Sequence, residues 1–102
     1  MFIAMNRFRV KLGEEENFET VWRERDTFLS EVPGFKEFQL LRGPSTEDHT
    51  LFASHAVWQS REDFENWTQS DAFRKAHAQA GAKRDMYLGP PNFEGFEVIQ
   101  ST

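Results

Sequence analysis

The chain has 102 residues, 38% hydrophobic and 28% charged, which is enough for one ordinary globular domain and too little for two. A formal charge of −5, with no basic run or stripe to offset it, argues against phosphate neutralisation and sets nucleic acid aside as a partner. The absence of cysteine excludes disulfides, thiolate nucleophiles and thiolate metal sites together, and fits a reducing compartment.

The N-terminal stretch turns polar at Asn6-Arg7, and no apolar run approaches the ~20 residues that a membrane span needs. A cytoplasmic protein with no membrane partner is the expectation. Phe2 to Val10 alternates, which predicts a strand. After Gly13 and the acidic run Glu14-Glu15-Glu16, apolar residues recur at helical spacing (Phe18, Val21, Trp22, Phe28, Leu29, Val32), predicting an amphipathic helix stopped by Pro33-Gly34. Phe35 to Arg42 alternates again. A polar turn over residues 43–48 leads into a β-rich run from Thr50 to Trp58, so these two strands form a hairpin. Ser60 with Asp63 resembles a helix cap, and Ser70-Asp71 resembles a second, giving two short helices or one kinked helix through Ala80 and Gly81. Residues 82–92 read as a loop and Phe93 to Gln100 as a last strand.

This order is the βαββαβ pattern of an α+β ferredoxin-like domain with a four-stranded antiparallel sheet, in which the first and third strands are central. Both carry apolar residues on both parities, as strands covered on two faces do. Helices cover only one face. A symmetric second copy is the simplest cover for the other, which predicts a homodimer, a dimeric α+β barrel with sheets face to face.

A few residues break these patterns. Asn6 interrupts the apolar parity of the first strand, where an unpartnered amide would cost on the order of 1–3 kcal/mol, so it either bonds backbone inside the core or faces a bound polar atom. Arg25 interrupts the apolar stripe of the first helix, either snorkelling to the rim or serving a pocket. His77 lies four residues after Phe73 among Ala76, Ala78 and Ala80, which leave room for something bulky, although a lone histidine is more often a surface or core-satisfied residue than a ligand. His49 and His55 make no zinc spacing with it. No phosphate loop, nucleophile elbow or zincin motif is present, and the acidic run reads as a solvated helix start.

Met5-Asn6-Arg7-Phe8, Pro33-Gly34-Phe35, Phe38-Gln39-Leu40-Leu41-Arg42, Val57-Trp58-Gln59-Ser60, Phe64-Glu65-Asn66-Trp67 and Ser70-Asp71-Ala72-Phe73-Arg74-Lys75-Ala76-His77 resemble the antibiotic-biosynthesis monooxygenase superfamily. Asn6, Trp67 and His77 together resemble its IsdG-type heme-degrading branch. That resemblance implies residues 1–102 as one such domain, with heme as both cofactor and substrate, one per subunit. It implies His77 as the iron ligand, Asn6 as a hydrogen-bonding group on the dioxygen side, and Trp67 pressing on the porphyrin plane. Trp22 would line the apolar wall and Arg25 the heme edge, with Lys83 or Arg84 as propionate contacts. Dioxygen and an external reductase or small reductant are then partners, since nothing in the sequence holds flavin or nicotinamide. A cofactor-independent monooxygenase acting on aromatic polyketides and a non-enzymatic heme-binding module are the alternatives.

Overall fold

The computed structural model describes residues 1–25, 29–77 and 85–102. Alternation makes β1 (Phe2–Lys11) a strand whose Phe2, Ala4, Phe8 and Val10 are buried on one face. A turn at Gly13 (φ 92°) starts α1 (Glu15–Glu24), whose Phe18 is fully buried against the sheet. Of the three acids at the helix start, Glu15 has a structural task. It accepts from the Gly13 amide (2.9 Å) and the hydroxyl of fully buried Thr50 (2.7 Å), and the Thr50 bond is the chief cause holding its carboxyl below the usual range.

The predicted first helix ends early. Arg25 caps α1 with extended backbone (φ −81°, ψ 129°), so Arg25 lies off the end of the helix and not within its apolar stripe. Its side chain instead crosses to α3 (Asp71–His77), where Nε donates to the Ala76 carbonyl at 2.8 Å. A tertiary bond of this kind competes with one more turn of an exposed helix. Phe28, placed on the same stripe by the sequence, lies outside the described residues. Leu29–Glu31 form a short 3-10 turn, and Gly34 (φ 85°) completes the stop that the sequence predicts. A Cβ there would sit 2.3–2.5 Å from the Asp63 side chain, so the position needs glycine for space as well as for conformation.

β2 (Phe35–Ser45) and β3 (His49–Trp58) form the expected hairpin, with β2 running past Arg42 through Gly43 and Pro44 by a register shift. Proline is tolerated because β2 is an edge strand that owes no donor on its outer side. The antiparallel sheet has the order β2-β3-β1-β4, so the first and third strands are central as predicted. The last strand, β4, spans Asn92–Glu97 and stops short of Gln100. The architecture is the α+β ferredoxin-like fold.

The second helical region is two helices, α2 (Arg61–Thr68) and α3, each begun by a predicted cap. Ser60 Oγ accepts from the Asp63 amide (3.1 Å) and Ser70 Oγ from the Phe73 amide (3.2 Å). Ser60→Ala is expected to destabilise the protein by about 0.5–2 kcal/mol, read as a lower urea midpoint at unchanged slope. Any continuation of α3 through Ala80 and Gly81, the first residues of the predicted loop, and Lys83 and Arg84 lie outside the described residues.

The helix-facing side of the central ladder explains where a site can form. Its cross-strand pairs run Phe2/Trp58, Ala4/Ala56, Asn6/Ser54, Phe8/Phe52 and Val10/Thr50. Large rings stand at both ends and small residues in the middle. Two separate clusters grow from the ends, one around Phe8, Phe18, Phe52 and Met86, the other around Phe2, Leu29 and Trp58. The opposite face carries Ile3, Met5, Leu41, Leu51, Ala53, His55, Val57 and Phe96, crossed by an Arg7–Glu94 ion pair (2.5 Å). Leu41 and Phe96 on that face are exposed, and no helix covers it among the described residues.

Candidate active site

Between the two clusters the small floor residues leave a narrow cleft of about 60 Å³, partly open to solvent. Asn6, Trp22, Arg25, Trp67 and His77 all line it, while Lys83 and Arg84, the expected propionate contacts, lie outside the described residues. Asn6, Ser54, Ala4 and Ala56 form the floor, and α2 and α3 supply the opposite wall.

His77 is oriented from two directions by one residue. A carbonyl can only accept, so the 2.8 Å contact to the Phe73 carbonyl places the proton on Nδ1 and, in the neutral ring, leaves the lone pair on Nε2. The Phe73 ring also stacks on the imidazole at 4.0 Å and 28°. Partial burial is the main cause that lowers the His77 pKa from its ordinary 6.5, the Phe73 bond opposes it, and the nearby Arg25 charge adds to it. The neutral, lone-pair-bearing form is therefore favoured.

Trp67 is clamped on three sides, by Trp58 (5.3 Å), Phe64 (6.1 Å) and Phe73 (4.8 Å, edge-on). Its indole Nε1 is buried without a partner among the described residues. Trp22 stacks on Phe38 (5.7 Å, 15°) to make the far wall, and the Arg25 guanidinium lies 4.6 Å over the Trp22 ring. Burial lowers the Arg25 pKa, and its Nη2 is likewise buried with no acceptor among the described residues. A second, open groove shares Trp22, Arg25 and Phe38, so the cleft is continuous with the surface along α1 and β2.

The chemistry of this arrangement is one-sided. Asn6, Ser54, Arg25 and Trp67 all offer hydrogen-bond donors, and among the described residues no carboxylate lines the cleft. Aromatic walls with donors and no acid suit a flat ligand bearing carboxylates or other acceptors. Among the described residues no three His, Cys, Asp or Glu are grouped to hold a metal ion. A metal at His77 would have to bring its other ligands with it, as a porphyrin does.

Comparison with known proteins gives the family and the fold. The model of the antibiotic biosynthesis monooxygenase family matches residues 1–79. This chain belongs to that family. A curated relative, the heme-degrading monooxygenase of Bacillus thuringiensis (strain Al Hakam), is 35% identical over 57 residues, 56% of this chain and 53% of the relative. The chain thus spans about half the length of the curated relatives it matches. Among solved structures, the heme-degrader MhuD from Mycobacterium tuberculosis, with two hemes in its active site, is 26% identical with a TM-score of 0.74, covering 100% of this chain and 99% of that one. SnoaB, a cofactor-independent oxygenase from Streptomyces nogalater, is 25% identical with a TM-score of 0.71, covering 98% and 94%. A heme-degrader and a cofactor-independent oxygenase therefore both resemble this chain in fold, and the choice between them rests on the cleft itself.

Two features of the site escape a reading of the sequence. Phe73 holds both His77 and Trp67, and Ser54 stands beside Asn6 on the floor. Ser54 left a readable signal, because it occupies the same buried parity of its strand as Phe52 and Trp58. Phe73 left only its four-residue spacing from His77.

Proposed function

We propose that this chain is a heme-degrading monooxygenase that takes heme into the cleft as both substrate and cofactor. The observation that carries this reading is the His77 imidazole, held by Phe73 with its Nε2 lone pair unbonded among the described residues, beside a cleft of donors and rings. A group needing no axial ligand, as in a cofactor-independent oxygenase, would leave that fixed tautomer without a purpose. When bound, heme supplies an iron that, once reduced, activates dioxygen against the porphyrin's own ring, giving an open-chain tetrapyrrole and free iron.

The residues divide the remaining work. His77 Nε2 holds the iron from the helix side. Asn6 faces the dioxygen side from the sheet floor. Trp67, clamped so that it cannot yield, presses on the ring plane. Arg25 offers its unpartnered Nη2 to a carboxylate at the heme edge, and Trp22 with Phe38 walls the plane. Electrons come from an external reductase or small reductant. A second copy of the chain covers the open sheet face, giving a homodimer with one heme per subunit in the cytoplasm.

The test is a hemin titration followed by ascorbate in air. A Soret band that saturates at one heme per chain and then bleaches to a bilin-like spectrum supports the reading. A band that persists under reductant makes the chain a heme-binding module, and oxidation of a phenolic polyketide without hemin makes it a cofactor-independent enzyme. Acid should release the ligand by protonating His77. Because the folded-state pKa lies below 6.5, affinity is expected to stay flat as pH falls from about 8 and to drop only below 6.5. The His77 share of fold stability follows the same sign, present above 6.5 and lost as pH falls toward the folded-state value.

Asn6→Ala is expected to leave hemin affinity within a few-fold and to slow bleaching by about 10-fold or more, the range for losing one hydrogen bond to a charged group. Unchanged bleaching would remove Asn6 from the mechanism.

A further inference from the structure

Ser54 is 6% exposed, yet its hydroxyl donates no hydrogen bond to any described residue. A buried hydroxyl is normally satisfied, and this one lines the cleft. Its cross-strand partner in the β1–β3 ladder is Asn6, whose amide also donates to no described residue. Neither polar side chain is among the sealed, unpartnered atoms of the interior, so both stand open to whatever enters the cleft. Direct cross-strand neighbours have Cβ atoms about 4.5–5.5 Å apart, a spacing at which two donors converge on one small acceptor. Ala4 and Ala56, the next pair along, leave the approach clear.

We propose that Ser54 and Asn6 act as a paired donor site for a small anionic or oxygen ligand, seated on the sheet side of the bound plane and opposite His77. The proposal deepens the heme reading and rests on it. Ser54 is then a positioning residue for the oxygen side, with no part in holding the plane itself.

The test uses fluoride, a small strong acceptor, titrated against the ferric hemin-loaded protein. Ser54→Ala is expected to weaken fluoride binding by about 10-fold, since 1.4 kcal/mol is tenfold and a charge-assisted hydrogen bond is worth about that or more. Hemin affinity and the Soret position should stay as in the unaltered protein. Ser54→Cys, close in size with a weak donor, should show the same loss, and Ser54→Thr should restore fluoride binding. The ferrous carbon monoxide complex gives a second readout, its C–O stretch moving to higher wavenumber in Ser54→Ala and returning in Ser54→Thr. Fluoride affinity and C–O stretch that ignore Ser54 while hemin still binds would overturn the paired site alone. Failure of the unaltered protein to bind hemin at all would overturn the heme reading and this proposal with it.

Discussion

His77→Ala is expected to weaken hemin binding by at least about 100-fold and to abolish bleaching under ascorbate. Loss of a group that merely supports a metal ligand already costs about 10–100-fold in affinity, so loss of the ligand itself should cost no less. The change should spare the fold, because alanine is the best helix former and His77 is the last described residue of α3, with much of its surface open to solvent. Far-UV circular dichroism should therefore be unchanged. Added imidazole should restore the Soret band by entering the vacated position. Unchanged hemin affinity in His77→Ala would end the axial-ligand assignment and leave the cleft to a ligand that needs no metal bond.

Ala56→Phe is expected to close the cleft. Ala56 pairs with Ala4 in the stretch of floor between the two aromatic clusters, and a ring there occupies the space a flat ligand would take. Overpacking of this kind costs about 1–3 kcal/mol, which a domain of this size tolerates, so a folded protein that binds hemin about 100-fold less tightly is the expected result. Gln39→Leu is the matched control, since Gln39 is exposed on the opposite face of the same sheet and should leave binding untouched. Equal loss in both variants would mean that hemin binding follows general stability and not the floor.

The strand order and the two central strands were legible because period-two alternation survives where one face is buried. Asn6 was legible because it breaks an apolar pattern, and Trp67 and His77 because the resemblance points to them; Arg25 was singled out for interrupting a helical stripe that in fact stops before it. All of them line one cleft, along with Trp22. The end of α1 was not legible. No glycine or proline marks Glu24, and the helix stops where the Arg25 side chain reaches the Ala76 carbonyl, 51 residues away in sequence. The extension of β2 through Pro44 depends on that strand's edge position, which only the assembled sheet defines. Phe73 was missed for a related reason: its ring and carbonyl act on neighbours of its own helix and on α2, and nothing in a helical wheel separates that from ordinary packing.

The division of the interior into two aromatic cores, with small side chains on the sheet between them, bears on how such a chain can diversify. Four small or polar floor positions shape what is admitted, while the fully buried rings of Phe18, Phe52 and Trp58, which keep the polypeptide folded, do not line the cleft. Descendants can exchange one guest molecule for another by altering those few side chains, and the scaffold around them need not be reinvented.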